Sequence, residues 1–353
     1  MCVLVSKPPR KRGSILATQP TEIDIDVSDI QNVNLYTYNE LRVATEGFSP
    51  ANKIGQGGFG SVYKGKLRNG TLAAIKVLSA DSSQGVREFL TEIKVITTIE
   101  HENLVKLYGC CVDKKQRILV YEYLENNSLA QTLFGGGHCS IQFGWPVRRN
   151  ICIRVARGIA FLHEDVEPHI IHRDIKASNI LLDKDLQPKI SDFGLAKLIS
   201  PNLTHISTRV AGTARLPAEE QYLLPKAWNM YESGELESLV DALLEEDFNI
   251  EEACRFCKIG LLCTQDAPQL RPSMSTVVGM LMGEIDVNEK TITRPGLLFD
   301  LVDTKDEGKH KAKGEMGNTS LLAVSGKHSD SSSSGITSSY ATMTFTSIYD
   351  RSN

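Results

Sequence analysis

The chain has 353 residues, 41% of them hydrophobic, which is enough for one two-lobed domain with tails or for two small domains. Its formal net charge of -4 gives no global electrostatic reason to expect nucleic acid as a partner. No apolar run approaches the ~20 residues that a membrane helix needs, and Met1-Cys2-Val3-Leu4-Val5 is too short for the apolar region of a signal peptide.

Cysteine usage favours free thiols over a metal site or a disulfide scaffold. Eight cysteines are few for a secreted scaffold of this length. Cys254 and Cys257 form a C-x-x-C pattern, but a zinc site would need a second ligand pair, which we do not find. The interpretation is buried thiols in a reducing cytosol, with zinc as the alternative.

Both ends are predicted to be disordered tails, over residues 1–35 and 286–353. The second tail contains a Ser-rich stretch at residues 329–339, which cannot bury enough apolar surface to order itself. The first has Cys2 close to a basic patch, and a palmitoylated Cys2 beside that patch would attach the chain to a membrane. A solvated tail is the preferred interpretation, with the lipid anchor as the alternative. The basic patch consists of Lys7, Arg10, Lys11 and Arg12.

Folded structure is predicted to begin near Tyr36 with a helix and a glycine-rich hairpin. Thr37 and Glu40 form a capping box, which marks the start of a helix. Residues 54–63 then follow the order strand, glycine turn, strand. A G-x-G-x-x-G pattern alone is also typical of a Rossmann loop, but that loop is followed by a helix, whereas strand-like residues 71–77 follow here. Glycines allow the backbone to close over phosphates without side-chain clashes.

Lys76 and Glu92 are the predicted ion pair of the next two elements. Lys76 ends a strand in an Ala-Ile-Lys context, where it would hold the α and β phosphates of a nucleotide; alone it would be an ordinary solvated lysine. Glu92 lies beside a predicted apolar helical face and could reach Lys76. Glu88, one turn earlier, is the competing choice.

A strand-like run at residues 118–123 predicts a linker whose backbone would pair with adenine, and residues 151–162 read as a helix that leads to His172. The predicted nucleotide-binding residues are Ile54, Gly55, Gln56, Gly57, Gly58, Phe59, Gly60, Val62, Ala74, Lys76, Glu122, Leu124 and Leu181.

The candidate catalytic residues begin with Asp174 in the motif His172-Arg173-Asp174. Asp174 is placed to accept the proton of a substrate hydroxyl, and Lys176 to neutralise the transferring phosphate. Asn179 would share Mg²⁺ with Asp192, because amide and carboxylate oxygens suit a hard cation. Each residue alone has an ordinary explanation, such as a surface Asp or a capping Asn, but the ordered set with Phe193-Gly194 predicts phosphoryl transfer.

These motifs resemble the H-R-D-x-x-x-x-N and D-F-G pair of protein kinases. Over about residues 36–213 and 249–284 the chain is similar to plant receptor-like cytoplasmic kinases of the interleukin-receptor-associated-kinase-like superfamily, and within them to the cold-responsive group. Further marks of the resemblance are residues 36–41, 120–124 and 270–274.

The resemblance implies a two-lobed α+β fold over residues 36–285, with a β-rich N-lobe at about 49–124 and a helical C-lobe at about 125–285. It also implies ATP and Mg²⁺ as cofactors, protein substrates carrying Ser or Thr, an upstream receptor kinase as partner, and a place in the cytoplasm or at the inner face of the plasma membrane. Arg173 resembles the arginine that pairs with a phosphorylated activation loop. The candidate phosphosites are Thr204, Ser207 and Thr208.

The chain departs from the family after Thr213. There the family continues through a substrate-docking loop, an A-P-E motif and a long hydrophobic helix, but this sequence runs directly into Ala214-Arg215-Leu216. We infer an internal loss of roughly forty residues by resemblance, which removes the partner expected for Arg271. Trp228 is assigned to a later acidic segment. The helix that contains Phe256 is expected to pack less completely than in the family.

Two functions stay open from the sequence. The first is an ATP-dependent serine/threonine protein kinase with impaired activity. The alternative is a catalytically weak nucleotide-binding pseudokinase or decoy that acts through protein binding.

Overall fold

A computed structural model describes residues 33–57, 60–78, 83–114, 116–134, 143–199, 223–242, 244 and 248–295. These form the predicted two-lobed α+β fold, with a sheet-based upper lobe and a helical lower lobe. Cys2, Gly58, Phe59 and the phosphosite candidates at residues 204–208 lie outside the described residues. Within the described part of the chain, no helix is long and apolar enough to cross a membrane.

The upper lobe is built on a six-stranded sheet with the strand order β1-β5-β6-β4-β3-β2. All neighbouring strands pair antiparallel except β1 and β5, which are parallel. Two small antiparallel sheets, β7 with β10 and β8 with β9, belong to the lower lobe. The strands are β1 Asn34–Leu35, β2 Lys53–Gly57, β3 Gly60–Lys66, β4 Leu72–Leu78, β5 Leu107–Asp113, β6 Gln116–Glu122, β7 His169–Ile171, β8 Ile180–Leu182, β9 Pro188–Ile190 and β10 Lys197–Ile199.

Two glycines of β3 and the turn that follows it are required by the backbone geometry. Gly70 has φ +85° in the turn between β3 and β4, a conformation that glycine adopts without steric cost. Gly60 has φ +153°, and a Cβ added there would lie 1.9 Å from the carbonyl oxygen of Val77. The predicted strands on either side of the glycine segment are therefore confirmed as β2 and β3, and β3 can approach β4 at Gly60 only through a glycine.

The helices follow the predicted pattern in the upper lobe. They are α1 Tyr38–Ala44, α2 Ser83–Ile96, α3 Leu129–Phe134, α4 Trp145–Ala160, α5 Leu223–Glu232, α6 Ile250–Cys263 and α7 Met274–Met282. The capping box of α1 is present, with Thr37 and Glu40 each satisfying the other's backbone N–H. On α2, Phe89, Ile93 and Ile96 are buried in the core that also holds Phe193.

The lower lobe packs α4, α5, α6 and α7 around a second core. Trp228 of α5 is buried there against α6, although several glutamates stand near it in the sequence. Ile259, Leu261 and Leu262 of α6 are only 2–3% exposed. The apolar side of α5 contributes to the core that buries them. Whether α6 packs less completely than in the family stays a prediction.

Both domain boundaries extend beyond the predicted 36–285. Asn34 and Leu35 pair with Gly109 and Cys110 at the edge of the sheet, so they are not part of a disordered tail. At the other end, Ile292 is buried in the lower-lobe core, and Thr293 donates its backbone N–H to Gln265 Oε1 at 2.9 Å. These segments are fixed by pairing and packing partners that are distant in sequence.

The described cysteines are all free thiols. Burial raises the pKa of both Cys254 and Cys257. Among the described residues, no group of three or more His, Cys, Asp or Glu side chains could hold a metal ion. Nothing in this part of the molecule therefore supports the zinc alternative.

Candidate active site

A cleft between the lobes brings together predicted residues from seven separate segments. Those that line it are Ile54, Val62, Ala74, Lys76, Glu92, Glu122, Leu124, Leu181 and Asp192. Gly55, Gln56, Gly57 and Gly60 lie beside it in β2 and β3. Sequence reasoning missed Val105, Tyr121, Tyr123, Asn127, Ser128, Gln131 and Ser191, which also line the cleft. Tyr121 and Tyr123 flank Glu122, so their place in the linker run was the available signal.

The ammonium group of Lys76 lies between two carboxylates. Its Nζ is 3.0 Å from Glu92 Oε2 and 2.8 Å from Asp192 Oδ1. Lys76 comes from β4, Glu92 from the middle of α2, and Asp192 from the segment after β9. The structure therefore pairs Lys76 with Glu92 and not with the competing Glu88.

Burial and charge act against each other in this triad. Burial disfavours the Lys76 ammonium, but Asp192 and Glu92 outweigh it and raise the pKa of Lys76. Burial would likewise raise the pKa of Asp192, but Lys76 brings it below its usual value. For Glu92, burial and the neighbouring Asp192 prevail and the pKa is raised. Lys76 and Asp192 therefore stay charged at neutral pH.

His172 supports the catalytic segment as a neutral imidazole. Its Nε2 lies 3.1 Å from the carbonyl oxygen of Ser191, and its Nδ1 accepts the backbone N–H of Asp174 at 3.3 Å. One nitrogen must therefore donate and the other accept, which defines the neutral form with the proton on Nε2. Burial lowers the pKa of His172 in agreement with this assignment. The ring also packs edge-on against Phe193.

Asp174, Lys176 and Asn179 converge on one carboxylate. Asp174 Oδ2 is 2.9 Å from Lys176 Nζ and accepts an N–H from Asn179 Nδ2 at 3.0 Å. A second N–H of Asn179 goes to the Asp174 backbone carbonyl at 2.9 Å. The remaining polar atom of Asn179, Oδ1, is buried and has no hydrogen-bond partner among the described protein atoms.

Two residues of the sequence motifs, Arg173 and Asp192, have a backbone conformation that residues other than glycine rarely adopt. Arg173 has φ 68° and Asp192 has φ 70°, both in the left-handed region. Residues held in this region cost free energy and cluster at functional sites. Arg173 also donates from Nε to the carbonyl oxygen of Leu195 at 2.6 Å, which ties the catalytic segment to the segment that follows Asp192.

Arg271 is bound to its own loop. It donates from Nε to the carbonyl oxygen of Gln265 at 2.7 Å and from a terminal nitrogen to that of Asp266 at 3.2 Å. These are local contacts between α6 and α7. Arg271 therefore has partners even though the sequence offers no A-P-E glutamate.

Comparisons with known proteins agree with this geometry. The protein kinase domain family matches residues 48–233. The chain is 55% identical over 377 residues to Cold-responsive protein kinase 1 of Arabidopsis thaliana, covering 93% of this chain and 97% of that protein. It is also 47% identical to a probable leucine-rich repeat receptor-like serine/threonine-protein kinase of the same plant, covering 78% of this chain but only 31% of that protein. The chain belongs to the protein kinase family and is, by family, a serine/threonine protein kinase of the plant receptor-like kind.

Proposed function

We propose that the chain binds ATP with Mg²⁺ and transfers the γ-phosphate to Ser and Thr hydroxyls of proteins, with activity reduced by a missing segment after Thr213. The observation that carries this proposal is the position of Lys76 between Glu92 and Asp192 in the cleft between the lobes, together with the hydrogen bond from Asn179 to the Asp174 carboxylate. Charged groups held in place by such pairs need little reorganisation when a substrate arrives.

The cleft divides into an apolar part and a charged part. Val62 and Ala74 line one side and Leu181 another, which suits a flat adenine ring. The linker backbone at Glu122 and Leu124 would meet the ring's polar edge. Lys76 lies at the charged end, where its ammonium group would bind the α and β phosphates. Glu92 would keep that ammonium group in position.

Two buried oxygens fit a divalent cation. Asn179 Oδ1 has no hydrogen-bond partner among the described protein atoms, and Asp192 carries a charged carboxylate. An amide oxygen and a carboxylate are ligands that Mg²⁺ takes. When bound, Mg²⁺ would neutralise charge on the phosphates. Asn179 and Asp192 would hold it.

Asp174 and Lys176 would act on the reacting groups. The Asp174 carboxylate would orient the substrate hydroxyl and accept its proton. Lys176, within 2.9 Å of that carboxylate, would balance the negative charge of the transferring phosphate. Both side chains are largely buried, which strengthens their electrostatic effect relative to bulk water.

The missing segment would weaken the binding of the protein substrate. The alignment with Cold-responsive protein kinase 1 extends over 377 residues, more than the 353 of this chain, so that alignment contains positions that this chain does not fill. This supports an internal loss, which we place after Thr213 because no A-P-E motif follows there in the sequence. Because positioning accounts for several kcal/mol of a barrier, loss of a docking loop would lower the rate of transfer to proteins.

The second candidate function is a nucleotide-binding decoy. An intact Lys76–Asp192 site combined with a missing docking segment favours it. Such a chain would bind Mg²⁺–ATP and protein partners without transferring phosphate. In either case we propose an upstream receptor kinase as a partner. This kinase would phosphorylate the present chain at Thr204, Ser207 and Thr208. We also propose that Cys2 attaches the chain to the inner face of the plasma membrane.

Nucleotide binding is tested by titrating the purified chain with a fluorescent ATP analogue and Mg²⁺. We expect saturable binding that Lys76→Ala and Asp192→Ala both abolish. Lys66→Ala is the matched control, because Lys66 is an exposed lysine of the adjacent strand. Binding that survives both site variants contradicts the assigned site.

Transfer is tested with radiolabelled ATP and a generic protein substrate. A weak signal that Asp174→Asn removes, and that grows when the family's segment is reinserted after Thr213, supports the impaired kinase. Nucleotide binding without transfer, even after reinsertion, supports the decoy instead.

A further inference from the structure

The side chain of Glu122 joins three parts of the molecule at the back of the cleft. Its Oε1 accepts the backbone N–H of Lys106 at 2.8 Å and lies 2.9 Å from Lys189 Nζ. Lys106 stands just before β5 of the upper lobe, whereas Lys189 lies in β9 of the lower lobe. One carboxylate in the linker therefore binds both lobes.

This contact is more than an ordinary surface ion pair. The side chains of Glu122 and Lys189 are each only 18% exposed, so solvent screens their attraction less than it would at the surface. The carboxylate receives two hydrogen bonds, one of them from an ammonium group, and such charge-assisted bonds are about twice as strong as neutral ones. The Glu122 backbone N–H also donates to the carbonyl oxygen of Lys106 at 3.0 Å. The Glu122 side chain is thus held at a fixed position.

The two ends of the ion pair are connected to opposite walls of the nucleotide cleft. Glu122 itself lines the cleft, next to Tyr123 and Leu124. Lys189 is paired in the β8–β9 hairpin with Leu181, which lines the cleft from the lower lobe. The distance between linker and hairpin therefore sets the width of the cleft where the adenine ring would enter.

Tyr123, the next residue of the linker, contacts the upper lobe. Lys64 Nζ of β3 lies 4.5 Å from the centre of the Tyr123 ring, a cation–π contact. Glu122 is bound to both lobes, and Tyr123 contacts β3 of the upper lobe. Consecutive residues of the linker thus limit rotation of one lobe against the other.

We propose that the Glu122–Lys189 ion pair is a positioning device that holds the empty cleft at the width that the nucleotide requires. A site that is already formed loses less conformational freedom on binding, so its affinity is higher. Glu122 and Lys189 act here through Leu181 and the linker rather than on the phosphates. This inference rests on the proposed nucleotide binding and assigns a function to side chains that the transfer chemistry does not use.

The first test measures Mg²⁺–ADP affinity by calorimetry on the full chain. Lys189→Met keeps the apolar stem and removes the charge, and we expect its Kd to rise about five-fold. Glu122→Gln should give the same rise, the double variant no further rise, and Lys189→Arg a value near that of the unmodified chain. Lys184→Met is the matched control, because Lys184 is an exposed lysine of the same hairpin. An unchanged or lower Kd in Lys189→Met overturns the proposal.

The second test needs no nucleotide, so it separates this inference from the proposed function. Hydrogen exchange of the linker amides at residues 121–124 should be faster in Lys189→Met than in Lys184→Met. If the unmodified chain binds no nucleotide, the proposed function fails, and the exchange result alone decides whether the ion pair restrains the linker. Equal exchange in the two variants overturns the proposal.

Discussion

Asn179 donates both of its side-chain N–H groups to Asp174, one to the carboxylate at 3.0 Å and one to the backbone carbonyl oxygen at 2.9 Å. This fixes the orientation of the amide plane and turns Oδ1 towards a buried position without a protein partner. The residue therefore positions the proposed base with one end of its amide and offers a metal ligand with the other.

The first prediction separates these two contributions of Asn179. Asn179→Ala should weaken nucleotide binding in the presence of Mg²⁺ by roughly ten-fold, because a ligand oxygen is lost. Binding measured in excess EDTA should change little, since no metal is involved there. Calorimetry under both conditions provides the comparison, and an equal loss in the two would assign Asn179 to the nucleotide rather than to the cation.

The second prediction compares two glutamates of α2. Glu92→Gln replaces the carboxyl group that accepts from Lys76 with an amide of the same size, which can turn a donor towards the ammonium group. We therefore expect stability to fall by about 1–3 kcal/mol and nucleotide affinity to fall with it. Glu88→Gln is the matched control, because Glu88 is buried on the same helix but is not the partner of Lys76. Urea unfolding and nucleotide titration measure both quantities. A larger loss of affinity in Glu88→Gln would reverse the assignment.

The third prediction concerns the acid side of the stability profile. Burial lowers the pKa of His172 from 6.5, so below that value the unfolded chain binds a proton that the folded chain does not. Stability is therefore present above pH 6.5 and is lost as the pH falls. His172→Gln should reduce the slope between pH 5 and 6.5 by at most about 1.4 kcal/mol per pH unit. Unfolding at several pH values tests this, and an unchanged slope would mean that His172 is charged in the folded state.

The fourth prediction tests the contribution of α5 to the lower lobe. Trp228→Ala should destabilise the chain by about 3–5 kcal/mol, because a large side chain that is 7% exposed leaves the core. Leu223→Ala on the same helix is the control, because Leu223 is 61% exposed and should change stability by less than about 0.5 kcal/mol. Thermal unfolding of both variants is the measurement. Equal effects would show that α5 does not belong to the core.

Local patterns in the sequence predicted much of the site, and contacts across the fold account for what they missed. The helical period of α2 placed Glu92 rather than Glu88 opposite Lys76, and the structure shows that pair. The direct contact between Lys76 and Asp192 joins residues 116 positions apart and depends on how the lobes meet, which no local pattern encodes.

The fold outside the motifs was harder to predict for the same reason. Asn34 and Leu35 are too few to show a strand period, and they become a strand only because β5 offers an edge. Trp228 stands near several glutamates along the chain, but its burial is decided by α6. The composition of a segment gives its average hydrophobicity, whereas the burial of a residue depends on which face of the helix it occupies.

The order of the upper-lobe sheet also has a consequence for self-association. Open sheet edges are templates on which other chains can add strands and aggregate. The two edge strands here are β1, with two residues, and β2, which contains Lys53 and two glycines. The long apolar strands β4 and β6 lie inside, hydrogen-bonded on both sides. The described sheet thus has its two shortest strands at its edges, together with the part of β5 that lies beyond the pairing of Asn34 and Leu35 with Gly109 and Cys110. This arrangement limits the backbone that is open to edge-to-edge polymerisation.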